Sequence, residues 1–508
     1  MKTRMIGLAA LIALVASAAT GAHVPAQAQA LPIDDGPFGL GTLSADEGAL
    51  PADIWEGADP DALATLLDAL PRAYAEPAYL DLARRLLLSP SAAPEGADDA
   101  LAGAKLLAAA ELGFYREAGQ LAELAPQLSD QPALTKVAAL SALLDGDVRR
   151  ACQRGARLTQ GRADPFFLRL RYLCYVDAGE ENAADLTLGL LRDQGLAEGA
   201  ERVFTALQTS GSLGGTVSPQ GAFEYAGVQM LGAEVSAPAV PELPGSVLAA
   251  VARDEGADTD ARLAALERAL SLGLIGPDEG QRLAAQMAET TLAAEVVAVA
   301  TERLGTPESA EAVARSLRAA EDYDAFRARA VLYRDAIGTS RPSVAAPDAD
   351  VLALAAILAG DRDAAAGWLT AMRSDPAGDP AAFERLRDLL ALATGRTRAV
   401  SVPLGDPLAS TALDTAELVG LALAAARTGS EGEAALAALA GLGVPASEEA
   451  DAIRESVVLA MLDQSGLAQD VARRAALDIE AAAVFAEMAG GGARAGGGEP
   501  VPRMKPAP

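Results

Sequence analysis

A chain of 508 residues, 51% hydrophobic and only 4% aromatic, has ample material for a core, and its length suits one long repeat array or roughly two to four ordinary domains. It carries 70 Asp and Glu against 41 Lys and Arg, a formal net charge of −29. A surface of that sign repels phosphate backbones and anionic lipid, which excludes nucleic acid as a partner. The sole histidine, His23, lies in a leader, so catalysis by Ser-His-Asp or Cys-His, and histidine-based zinc or haem, are excluded as well.

Residues 1–30 have the three-part grammar of a signal peptide: Lys2 and Arg4, an apolar run from Met5 to Ala19, then the small-residue sites Ala26-Gln27-Ala28 and Ala28-Gln29-Ala30. The run is about 15 residues, short of the ~20 needed to span a bilayer, so cleavage is expected rather than anchoring. The mature chain is then periplasmic or secreted, without stable membrane insertion. It keeps 39 basic residues against 70 acidic ones, a charge of −31, and only Lys105, Lys136 and Lys505 as lysines.

Residues 31–60, rich in Pro, Gly and Asp, predict an irregular entry. A helical-repeat array is expected over 61–207, where Tyr79, Leu82 and Leu86 share a face at three- and four-residue steps. Residues 208–246 lose this regularity and read as a Pro/Gly-rich linker with one short helix at Phe223 to Met230. A second array is expected over 247–489; Asp258 or Thr259 caps a helix carrying Leu263, Leu266, Leu270 and Leu274 on one stripe. Residues 490–508 predict a flexible tail. Alanine and leucine dominate and alternation is scarce, so the fold class is all-α.

Gly113, Gly146 and Gly179 recur every 33 residues. Each is followed five positions on by an alanine (Ala118, Ala151, Ala184) and preceded six positions back by a leucine (Leu107, Leu140, Leu173). Pro132 and Pro165 keep the same interval, Gly360–Ala365 and Gly429–Ala434 repeat the glycine–alanine step, and Gly395 falls between them. A glycine that turns left-handed ends one helix, and a small alanine lets the next lie close against it. Such hairpins stack into a solenoid, with an irregular helical bundle as the alternative. Gly113-Phe114-Tyr115-Arg116-Glu117-Ala118, followed by Leu121 and Ala125, resembles the middle of a tetratricopeptide repeat; Leu144 to Ala151 and Leu358 to Ala365 are similar. The resemblance implies a right-handed superhelix of antiparallel helix pairs whose concave groove binds proteins or peptides.

Cys152 and Cys174 lie at nearly equal distances from a turn near position 162, which would bring them level on antiparallel helices. A disulfide is the expectation in an oxidising compartment, and two buried thiols the alternative. No Gly-Lys-Ser/Thr, Ser-x-x-Lys or Gly-x-Ser-x-Gly occurs. No catalytic, cofactor-binding or metal-ligating residue is therefore assigned, and no cofactor is expected. Trp55 and Trp368 could be sugar platforms but read better as core. Phe114, Tyr115, Phe166, Phe167, Tyr172 and Tyr175 are the candidate partner surface, each with the alternative of filling a seam between helices. The expectation is a non-catalytic exported scaffold or adaptor for envelope proteins or peptides. A carboxylate-dependent enzyme on cell-wall glycan and a purely structural envelope component are the alternatives.

Overall fold

The computed structural model describes residues 36–74, 77–125, 130–209, 211–214, 217–287, 305–340, 348–375, 378–395, 430–442 and 468–492. The signal peptide at 1–30 with His23, Gly429, and the tail past Gly492 lie outside the described residues. Among the described residues there is no strand; the chain is all-α.

After short 3-10 turns at Pro37–Gly39 and Ala45–Glu47, the first helices are α1 (Pro60–Asp68), α2 (Pro77–Leu88) and α3 (Asp99–Ala109). A π turn at Ala110–Phe114 leads into α4 (Tyr115–Leu124), followed by α5 (Pro132–Leu144), α6 (Val148–Arg157), α7 (Pro165–Asp177), α8 (Glu181–Asp193) and α9 (Glu201–Gln208). From α4 to α9 each helix packs on the next, and α3 also lies on α5. Residues 208–246 contain α10 (Ala222–Met230) and a 3-10 segment, Ala237–Glu242. They bury Tyr225, Val228, Val235 and Val240, and α10 folds back on α5, α7 and α9. Four helices follow: α11 (Gly245–Arg253), α12 (Thr259–Leu272), α13 (Pro277–Gln286) and α14 (Pro307–Arg318). Next come α15 (Tyr323–Leu332), α16 (Arg334–Thr339), α17 (Ala349–Leu358), α18 (Arg362–Ser374) and α19 (Pro380–Ala393), and finally α20 (Glu431–Gly441) and α21 (Ala468–Gly492).

The helix starts account for part of the acidity. Asp59, Asp98, Asp147, Asp164, Asp258, Asp322, Asp361 and Asp379 each accept a bond from a first-turn backbone N–H. Such a cap contributes about 1 kcal/mol and its charge complements the helix dipole. Asp258 is the cap of the leucine-striped helix α12, and Leu266, Leu270 and Leu274 are buried.

The spaced glycines form a common turn. Gly146, Gly179 and Gly360 have φ of 77°, 69° and 75°. The next residue's N–H then bonds the carbonyl five positions back, Asp147 to Ala142 at 2.8 Å, Glu180 to Tyr175 at 2.8 Å and Asp361 to Ala356 at 2.9 Å. That is a left-handed helix stop, and the alanines that follow it, Ala151, Ala184 and Ala365, are buried where the two helices meet. Gly113 differs. Its φ is 121° within the π turn, because α11 presses its first residue, Gly245, against this backbone.

The two ends of the described chain meet. The Gly432 N–H of α20 bonds the Ile54 carbonyl at 2.8 Å, and Glu433 accepts from the Asp59 N–H at 3.0 Å. Trp55 packs beneath Gly432, and both Trp55 and Trp368 are buried core residues. α21 crosses α2, α15 and α19.

Lys105 is fully buried on α3. Its ammonium donates to the Phe38 carbonyl at 2.8 Å and sits 4.6 Å from the Phe38 ring centre. Burial pulls its pKa from 10.5 down to about 7. Between those values the unfolded chain binds the extra proton, so this residue makes stability rise from about pH 7 to about pH 10.5 and adds no slope below pH 7. Lys105→Met is therefore expected to help most at low pH. Urea titrations should show the variant gaining more on the wild type at about pH 6.5 than at about pH 9.5. A gain independent of pH would contradict the assignment.

Candidate functional site

Among the described residues, a cleft of about 890 Å³ is lined by segments from both the N-terminal and the C-terminal parts of the chain. One wall comes from α2 and α4, another from the α12–α13 turn, and the rest from α15, α16, the α17–α18 turn, α19 and α21. The left-handed turns at Gly273 and Gly360 bring helix ends to its edge. Its apolar floor includes Leu270, Leu274, Ile275, Ile357, Leu390 and Leu477.

Seven arginines and seven carboxylates line this cleft, so it is electrically balanced while the chain as a whole stands at −29. Some of these charges are structural. Arg474 binds Asp81 at 2.6 Å and Asp470 at 3.2 Å, and Arg85 binds Asp470 at 2.9 Å, which ties α21 to α2. Burial would raise the Asp470 pKa, but Arg474, Arg85 and Arg473 hold it below the ordinary carboxylate value. Arg327 meets Asp478 at 3.1 Å; there burial wins and the Asp478 pKa is raised.

Beneath one wall, Arg253 forks onto Glu279 with two bonds of 2.8 Å. Arg116 reaches the same carboxylate at 3.2 Å and Asp145 at 2.8 Å. The Tyr115 ring lies 5.3 Å from the Arg253 guanidinium. Burial pushes the Glu279 pKa up, but the bonds and charge of Arg253, with Arg116 and Arg282, bring it below normal.

The uncommitted groups matter most for binding. Among the described residues, Arg334 and Arg362 are exposed and have no ion pair or hydrogen bond. Among the described residues Arg84 has no ion pair within 4 Å, and Arg282 bonds the Asp278 carbonyl at 3.4 Å and has no ion pair. Asp46 and Asp278 are exposed, and Glu117 Oε2 is buried without a hydrogen-bond partner. Guanidinium forks match carboxylates and backbone carbonyls, while free carboxylates accept from amides and cations. The described lining holds no His, Cys, Lys or Tyr; its single hydroxyl, Ser271, is buried and donates to the Arg268 carbonyl at 3.0 Å. Among the described residues no helix is long and apolar enough to cross a membrane, and no cluster of three or more potential ligands could hold a metal.

Of the six rings offered as a partner surface or as seam fillers, four take the second role. Phe114, Tyr115, Phe167 and Tyr172 are buried, because rings of this size fill the seams that alanine leaves between helices. The Tyr172 ring packs tilted against Phe204, centres 4.7 Å apart, and its hydroxyl donates to the Phe204 carbonyl at 2.7 Å. Phe166 is half-buried against Phe223. Tyr175 keeps part of its surface and lies beside the disulfide.

Cys152 on α6 and Cys174 on α7 are joined, with Cα atoms 5.6 Å apart. Closing a loop of this length contributes roughly 3 kcal/mol by restricting the unfolded chain. Cys152→Ser/Cys174→Ser should lose about that much in denaturant titration, and added reductant should then change nothing further. A variant as stable as the wild type would remove the cross-link's role.

None of the convergent arginines was singled out by the sequence, since they come from segments between residues 84 and 474. Comparison with protein-family models, with curated proteins and with solved structures finds no match for this chain.

Proposed function

We propose that this protein is an exported, non-catalytic scaffold that holds a polypeptide segment in its central cleft. In this reading the helix pairs are tetratricopeptide-like units in two arrays, and the cleft is the space those arrays enclose. The shared glycine turns at Gly146, Gly179 and Gly360 support the repeat, and the Cys152–Cys174 bridge is compatible with an oxidising compartment.

One observation carries the binding role: a cleft of about 890 Å³ with apolar lining, with Arg334 and Arg362 on it and without an ion pair or hydrogen bond among the described residues. Arginine left unpaired beside apolar surface suits carboxylates and carbonyls of an extended chain. Balanced charge admits a partner that the acidic exterior would repel.

Arg334→Glu/Arg362→Glu tests the reading, because both side chains are exposed and stability should hold. On an array of immobilised 12-residue peptides the wild type should retain a defined subset, and the variant should lose at least roughly tenfold in affinity for it. Equal retention by both proteins would refute the cleft as the site. Release of muropeptides on incubation with peptidoglycan would replace the scaffold with the glycan-cleaving alternative.

A further inference from the structure

A second surface, remote in sequence from most of the cleft, has opposite electrostatics to the body of the chain. Between Val148 and Val176 there are seven arginines and one carboxylate, Asp164, in a protein of net charge −29. Asp164 is already used: it caps α7 and pairs with Lys136 at 3.2 Å. Arg150 and Arg154 share a single carboxylate, Glu123, at 2.6 and 2.9 Å. Arg169 donates to the Leu196 carbonyl, and Arg171 to the Arg162 carbonyl. Among the described residues Arg149, Arg157 and Arg162 are exposed and have no ion pair.

Two of these arginines, Arg162 and Arg171, line a groove; Arg149, Arg150, Arg154 and Arg157 line a separate hollow along α6 with Asp147 and Gln153. The groove lies between α6 and α7, holds about 290 Å³, and has the disulfide in its wall. Gly155 brings the two helices together, since a Cβ there would stand 2.7 Å from Leu170 Cδ2. Phe167 and Leu170 form its buried base, the partly exposed Tyr175 and the exposed Ala156 supply apolar surface, Arg162 and Arg171 line it, and Glu180 is the one acidic residue of the described lining. Arg149 and Arg157 belong to that separate hollow on α6, and only Arg157 adjoins the groove residue Ala156 along the chain.

We propose that this disulfide-braced groove is a docking site for an acidic polypeptide segment that inserts one apolar side chain. Charge complementarity selects the partner: among the described residues Arg162 at the groove, and Arg149 and Arg157 farther along α6, have no ion pair and suit carboxylates, while the groove itself holds little more than one large side chain. An anionic bilayer fits less well, because the groove is small and the surrounding −29 chain is repelled by it. The site shares no lining residue with the central cleft, so the chain would hold two segments at separate places.

The test uses the full mature chain and a fluorescein-labelled octapeptide, Asp-Glu-Glu-Leu-Phe-Glu-Asp-Asp, followed by anisotropy at two salt concentrations. The expected result is saturable binding that weakens with salt and that the all-lysine counterpart of the acidic positions does not show. Arg149→Glu/Arg157→Glu/Arg162→Glu should weaken it at least roughly tenfold. Ala156→Trp, at an exposed position, should plug the groove and weaken binding without changing net charge. Arg334→Glu/Arg362→Glu should leave it intact. The proposal is overturned by loss of binding only in that cleft variant, by equal affinity for the lysine peptide, or by no binding at all. It is likewise overturned if the wild type instead self-associates in sedimentation, or floats with anionic vesicles, and the arginine reversals abolish that behaviour.

Discussion

Replacing Glu279 by alanine is expected to lower the free energy of unfolding by about 3–5 kcal/mol, because it strands a buried cation. The Arg253 side chain is only 3% exposed and spends two hydrogen bonds on this one carboxylate. Its Nη1 has no hydrogen-bond partner among the described residues, and the Tyr115 ring centre lies 5.3 Å from the guanidinium carbon. Arg116 would also lose its second carboxylate and keep Asp145 alone. Arg253→Met/Glu279→Met should recover most of the loss, since an apolar pair of similar volume avoids desolvating either charge. A double-mutant cycle read by denaturant unfolding checks this. Additive losses would show that the two groups do not act as a pair. The same pair sets an acid limit: a carboxylate held below its unfolded pKa contributes above that value, and its contribution falls away as pH drops through the folded value. Asp470 acts in the same direction at the α2–α21 contact.

Gly113→Ala should cost at least about 3 kcal/mol, whereas Gly179→Ala should cost only about 1–2 kcal/mol. Both glycines belong to the 33-residue series, and both have positive φ. Gly179 has nothing within 4 Å of an added Cβ, so alanine there meets only the backbone strain. At Gly113 the same atom would stand 2.7 Å from Leu274 Cδ2 and 2.9 Å from the Gly245 carbonyl oxygen. Gly245 in turn would place a Cβ 2.3 Å from the Leu112 carbonyl. Two backbones therefore touch here, and neither can move without displacing α11 from the π turn. Equal losses at the two positions, measured by thermal or urea unfolding, would show that this contact is not tight.

The spacing of Gly146, Gly179 and Gly360 was legible because a left-handed helix stop leaves its mark on one residue type at one position. The cysteine pairing was legible for a related reason: two antiparallel helices joined by a short turn have their level fixed by counting. The helix at Gly113 carried the best tetratricopeptide-like pattern, yet its turn departs from the others, because the cause is Gly245, 132 residues away along the chain. Which rings fill a seam and which keep surface was not legible, since that depends on which helices cover the seam: α10, from within the expected linker, covers α5, and α11, which starts at its end, covers the π turn. The cleft was invisible for the same reason. Arg84, Arg282, Arg334, Arg362 and Arg474 share no period, and only the fold places them on one cavity. The arginine-rich stretch from Arg149 to Arg171 stood in plain view, but arginine is so dominant over lysine throughout that its local excess did not stand out.

Site-specific photo-crosslinking in intact cells tests the scaffold reading most directly. A photoreactive residue at Arg334 or Arg362, on the cleft, is compared with one at Leu186, exposed on α8 away from it. The account predicts discrete polypeptide adducts from the two cleft positions and none of those species from Leu186. Adducts made of glycan strands, or the same pattern from all three positions, would contradict it.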